Sequence, residues 1–204
     1  MTALTARDTY LRAARTFSAL VDAVPLTSYD GPGLGAWDLR ALVGHASRSL
    51  ITVLDHLDLP ADVAMVASAV DYYATGVVAA THHDAVVDRG RAAGAALGDD
   101  PAAAIGALVA AVGEKLPGFD DAYVLTTIAG PMQLVDYLPT RTFELVVHGL
   151  DVARATSLDA GYDEEVLAAA TDLAARIAVR TGRGPNVLLA LTGRDGLPPG
   201  FSVV

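Results

Sequence analysis

Apolar positions recur along this chain with helical spacing and almost nowhere with the alternation of a half-buried strand. Tyr10, Ala13, Ala14, Phe17, Leu20, Val21 and Val24 fall three and four residues apart. They make one face of a helix predicted over about 5–23 and stopped by Pro25. A Gly/Pro-rich loop, 30–35, leads to a second helix predicted over 38–57, with Asp38 as a first-turn acid and Pro60 beyond its end. The Ala/Val-rich stretch 61–80 is expected to be helical. So are 84–97, ended by Gly98, and 101–115, with Pro101 at the first helical position and Asp99 or Asp100 as its cap. Residues 116–131 hold the densest β-branched run, 123–128, and read as an irregular crossing or short extended segment. Helices follow over 133–156 and 163–181; Pro139 lies within the first, so that the alternatives are a start near Pro139 instead or a kink there. A short helix opening at Pro185 and ended by Gly193 precedes an extended tail, 198–204, lying on the domain. The fold class expected is all-α, a helical bundle.

Composition narrows the function classes. The 204 residues suit one domain, or one with a small appendage, and 52% apolar with 19% charged residues excludes a disordered polyelectrolyte. A net charge of −10 without any basic cluster argues against a nucleic-acid partner. The absence of cysteine rules out disulfides, Cys-ligated zinc and a thiol nucleophile of the chain's own. The first residues carry charges where a signal peptide needs an apolar core, and Asp residues interrupt the longest apolar runs. A cytoplasmic chain without a membrane span is expected.

Two segments set histidines into these apolar runs. In 141–151 (RTFELVVHGLD), Glu144, His148 and Asp151 form one narrow polar stripe at i, i+4, i+7, amid Phe143, Leu145, Val146, Val147, Leu150 and Val152. In 37–45 (WDLRALVGH), His45 follows Leu42 and Val43 on the core side of the second helix. A carboxylate and an imidazole facing an apolar interior must be paired, hydrogen-bonded or bound to an ion. Two imidazoles and one carboxylate suit a divalent metal with coordination positions left open, as in catalytic zinc. The residues alone leave plainer readings open. Glu144 and His148 also fit an exposed helical pair worth about a few tenths of a kcal/mol. Arg141 is placed to neutralise Glu144, and His45 fits a hydrogen-bonded core residue. Asp151 suits either an acceptor orienting the His148 ring or an ordinary exposed acid. His82 and His83 diverge on a helix by about 100° and read as solvated or interfacial. His56 is explained by the dipole of a helix C-terminus. Trp37, the sole tryptophan, suits anchoring of the second helix more than walling a pocket. The glycines of 31–35 and 182–184 follow no predicted strand, so they make no phosphate cradle.

Together the two segments resemble the mycothiol-dependent maleylpyruvate isomerase group of the DinB-like superfamily. That group has a Trp followed eight residues later by a histidine, matched by Trp37 and His45, and a Glu-x-x-x-His-x-x-Asp pattern, matched by Glu144, His148 and Asp151. The similarity covers about 4–156. The resemblance implies a DinB-like four-helix bundle over 1–156 with metal ligands His45, Glu144 and His148, and a helical C-terminal extension, 157–204, packed on the same domain. It implies zinc or another divalent metal, and mycothiol as co-substrate. The isomerase carries a further C-terminal domain that contributes to its active site, and 157–204 is too short to match it.

On that resemblance, the function expected is a metal-dependent enzyme using a low-molecular-weight thiol. The thiolate would attack a small electrophile, in S-transfer or in an addition–rotation–elimination isomerisation. Asp151 would fix His148, and Arg141 would hold a substrate or cofactor anion. A metal-dependent hydrolase and a non-catalytic metal- or ligand-binding bundle are the alternatives.

Overall fold

The computed structural model describes residues 4–75 and 83–204. Helix α1 (Ala6–Asp22) opens with a capping box, Thr5 receiving the Asp8 amide while Asp8 receives that of Thr5. Its face Tyr10, Ala13, Ala14, Phe17, Leu20 and Val21 is buried. Helix α2 (Leu39–His56) starts at Asp38, which serves as N-cap and accepts from the Ala41 amide at 2.7 Å. Short α3 (Ala69–Ala74) follows, then α4 (His83–Ala96) and α5 (Pro101–Lys115), the latter capped by Asp100 with Pro101 in its first turn. Strands β1 (Val124–Thr127) and β2 (Gly130–Gln133) form an antiparallel hairpin. Then come α6 (Leu134–Thr156), α7 (Glu164–Arg180) and α8 (Gly184–Leu191).

Helices α1 and α2 each pack against both α5 and α6, which closes a ring of four around one apolar core. Helix α4 lies on the outer side of α2, α7 on α6 and α1, and α8 on α7. The architecture is all-α with a two-stranded appendage. Among the described residues no single helix is long and apolar enough to cross a membrane.

One expectation changes. Within 61–80 only Ala69–Ala74 is helical among the described residues, which exclude 76–80. Residues 59–66 instead run along the hairpin: Thr126 donates to the Leu59 carbonyl at 2.8 Å, Ala61 to Val124 at 3.0 Å, and Met65 and Val66 to Pro131 at 2.8 and 2.9 Å. The hairpin satisfies these backbone groups, and that pairing overrides the Ala/Val helix propensity. Residues 116–131 supply the hairpin itself, after a 3-10 turn at Leu116–Gly118. Helix α6 runs from Leu134 to Thr156, as the 133–156 reading expected, and continues through Pro139 instead of starting there. Thr140 and Thr142 hydroxyls bond back to the Tyr137 and Leu138 carbonyls just after the proline.

The crossing of α2 over α4 is held by two glycines. A Cβ on Gly44 would run into the backbone of Gly94, and one on Gly94 would meet the Arg40 carbonyl at 2.7 Å. Gly44→Ala is therefore expected to cost about 1–3 kcal/mol in urea denaturation through overpacking. An unchanged or raised midpoint, as helix propensity alone would give, contradicts the close crossing.

Candidate functional site

Helices α2 and α6 run antiparallel, as their paired side chains require. His45 meets His148, ring centroids 4.8 Å apart and nearly perpendicular, while His56 meets Tyr137 at 5.3 Å. Eleven residues forward on α2 match eleven backward on α6, about three helical turns each. Along this seam α2 presents His45, Arg48, Ser49, Thr52 and His56, and α6 presents Tyr137, Arg141 and Glu144. The spacings of three and four residues put each set on one helix face. These polar stripes line a cavity of about 440 Å³, within the range of small-molecule sites. Tyr72 and Tyr73 of α3, Val86 and Arg89 of α4, and Ile128 and Val204 complete its wall.

At one end, His45, Glu144 and His148 each offer a ligand atom, all within 4.8 Å of one another. His148 Nε2 lies 3.3 Å from Glu144 Oε2, and its Nδ1 lies 3.3 Å from Asp151 Oδ2. Tyr73, from α3, donates its hydroxyl to Glu144 Oε1 at 2.7 Å. The Trp37 ring sits 4.5 Å from that of His45, tethered by its indole N–H to the Val87 carbonyl at 3.0 Å. It rests on Gly90, where any Cβ would collide with the indole. The C-terminal segment reaches the same helix: Tyr162 donates to the Leu145 carbonyl at 2.6 Å through space that a side chain on Gly149 would fill.

The electrostatics of the three groups differ sharply. Burial, and then the neighbouring His148, lower the His45 pKa to about 4, so this ring is neutral at physiological pH. Burial opposes charge on His148, but hydrogen bonds with Asp151 and Glu144 outweigh it and raise its pKa to about 9. Burial likewise opposes ionisation of Glu144, yet His148, Arg141 and Tyr73 hold its pKa near 2. Burial and the Glu144 carboxylate push Tyr73 well above the ordinary phenol range, which keeps it a hydrogen-bond donor.

The residues fit a divalent cation. Two donors held at about 2.0–2.2 Å in a tetrahedral shell lie roughly 3.3–3.6 Å apart, the separation already present between Glu144 and His148. His45 makes no hydrogen bond among the described residues, and its buried Nδ1 is without a partner. An unsatisfied neutral imidazole beside a carboxylate is what a metal ligand looks like without its ion.

A profile of the mycothiol maleylpyruvate isomerase N-terminal domain matches residues 10–153. The chain belongs to this family. The family is part of the DinB-like superfamily and is mycothiol-associated. No curated protein and no solved structure matches the chain.

Within this family member the structure brings together His45, Glu144, His148 and Asp151. Arg141 lies on the same seam but forms no ion pair with Glu144. Its Nε donates to Thr140 Oγ1 at 3.0 Å and a terminal nitrogen to the Tyr72 hydroxyl at 3.3 Å. His56 sits in the last turn of α2, as the dipole reading has it, but its ring also lines the cavity, and burial with the Arg141 charge lowers its pKa. Trp37 both anchors the start of α2 and braces His45. Leu150, expected in the apolar band, is 46% exposed. His82 lies outside the described residues, as does the side chain of His83. Tyr72, Tyr73 and Tyr137 were not legible as site residues, because isolated tyrosines in apolar helices carry no spacing signal.

In the metal-free chain, a histidine titration by NMR is expected to place His148 near pH 9 and His45 near pH 4. Asp151→Asn removes one acceptor and is expected to move His148 downward. Both rings titrating together near 6.5 contradicts the arrangement.

Proposed function

We propose that this chain is a metal-dependent enzyme that uses mycothiol, a low-molecular-weight thiol, for S-transfer to, or isomerisation of, a small electrophile. The observation that carries the reading is the convergence of His45, Glu144 and His148 at the end of a cavity large enough for a small molecule, in a chain of a mycothiol-associated family. The two nitrogens and one carboxylate oxygen favour zinc as the cation. When bound there, a divalent cation lowers the pKa of a thiol, which is otherwise about 8.5 and mostly protonated at neutral pH.

The chain's own residues do the positioning. Asp151 accepts from His148 Nδ1 and so fixes Nε2 on the side of Glu144 and His45, where a bound cation would take the place of its proton. Tyr73 holds one oxygen of Glu144 and leaves the other on the His148 side. Trp37 fixes the tilt of the His45 ring. The Val86, Ile128 and Val204 side chains give the cavity an apolar side. The absence of cysteine means that any reacting thiol is supplied by a co-substrate.

The chain as purified is expected to bind one zinc. It should consume mycothiol in the presence of a generic electrophile, and a chelator should abolish this. Glu144→Gln and His45→Ala are expected to remove both properties, and Asp151→Asn to weaken zinc binding by about 10–100-fold. Failure to bind zinc, or thiol consumption indifferent to chelator, overturns the proposal. Chelator-sensitive turnover with water and no thiol would instead mark a hydrolase.

A further inference from the structure

The α2–α6 cavity has one side that neither of those helices builds. Val86 of α4, Ile128 of the hairpin turn and Val204 of the C-terminal segment lie there. Val86 belongs to a helix, whereas Val204 reaches the cavity from a segment with no helix or strand of its own. Helix α8, from which that segment departs, buries no residue, and 191–200 are all exposed. Gly193 and Gly200 take the left-handed backbone, with φ of +68° and +71°, and bend the segment at two points. Its tip then returns to the bundle, where Val203 packs on the apolar core.

This segment is held lightly. Among the described residues, one hydrogen bond joins 197–204 to the rest of the chain. Arg183 Nη1, in the turn between α7 and α8, donates to the Ser202 carbonyl at 2.8 Å. The Ser202 hydroxyl donates in turn to the Val204 carbonyl, within the tip itself. Val204 remains 52% exposed although it lines the cavity. A stretch with few buried contacts and few backbone hydrogen bonds opens at a small fraction of the cost of global unfolding. The result is an arm rooted on α7 through α8, free along its middle and pinned at its tip beside the cavity.

We propose that 197–204 is a strap that closes the apolar side of the cavity and opens to admit a ligand, and that Arg183 positions it by holding Ser202. The size of molecule that reaches His45, Glu144 and His148 is then set by a segment outside the four-helix ring. As a control on turnover the strap rests on the thiol-transfer reading. As a gate on the cavity it does not, and its test needs neither metal nor turnover.

The chain has no cysteine, so a single introduced thiol reports on access to the cavity. Ser49 lines the cavity from α2 and is only 3% exposed. In the metal-free chain, Ser49→Cys is alkylated with N-ethylmaleimide and with the bulkier, equally uncharged N-(1-pyrenyl)maleimide. Each rate is corrected for the reagent's rate with free cysteine. With the strap in place the small reagent is expected to react faster. Arg183→Gln is expected to raise the pyrenyl rate about tenfold and the ethyl rate by less than about twofold, because it removes a charge-assisted bond that holds the closed state. Removing 200–204 is expected to raise the pyrenyl rate as far, and Arg183→Gln to add nothing in that shortened chain, since both changes abolish one contact. An arginine that only stabilised the α7–α8 turn would keep its effect there. Val86→Cys, on another wall, gives the same readout should Ser49→Cys not fold. Equal acceleration of both reagents, no acceleration by either change, or an Arg183→Gln effect that survives removal of 200–204 overturns the strap.

Discussion

The antiparallel contact between α2 and α6 is the constraint on which the rest depends. Each helix is buried on most of its surface, and each carries one polar stripe that would be intolerable against an apolar partner. The two stripes face each other, so each solves the other's problem. The pairings of His45 with His148 and of His56 with Tyr137 fix the register over about three turns. A shift by one residue would rotate either stripe by about 100° and bury its charges in hydrocarbon.

Much of the surrounding structure serves to hold that register. Gly44 and Gly94 let α4 approach α2 at close range, and Gly90 on α4 seats the indole that braces His45. On the other side, Gly149 admits Tyr162, which ties the segment after α6 to the Leu145 carbonyl beside His148. From α3, Tyr73 reaches Glu144 and Tyr72 reaches Arg141. The appended elements therefore contribute hydrogen bonds to the seam. The four-helix ring alone does not supply them.

The bundle was legible from spacing because its helices are long, amphipathic and capped by residues with one obvious role, such as Asp38, Asp100 and Pro101. The hairpin with its flanking 59–66 segment was not, since propensity favours helix there and only tertiary pairing decides otherwise. The stripe Glu144, His148, Asp151 was visible because three polar residues interrupt an apolar run at helical intervals. Its meeting with His45 was carried by resemblance, as no local pattern links positions a hundred residues apart. Arg141 and His56 were visible as residues, but the cavity they line was not. Which charges face a carboxylate, and which face only tyrosine rings, depends on packing that a single sequence does not encode. The tyrosines show the same limit: their hydroxyls matter because of where three helices place them.

At its simplest, the seam is a place where two imidazole nitrogens and one carboxylate oxygen lie close enough together for the single cation proposed above. X-ray absorption at the zinc edge of the zinc-loaded chain tests this most directly. Coordination by His45, His148 and Glu144 predicts two nitrogens with imidazole outer-shell scattering and one protein oxygen at about 2.0–2.2 Å, and a sulfur shell near 2.3 Å on addition of mycothiol. A spectrum of oxygen ligands alone, unchanged by His45→Ala and by the thiol, would contradict it.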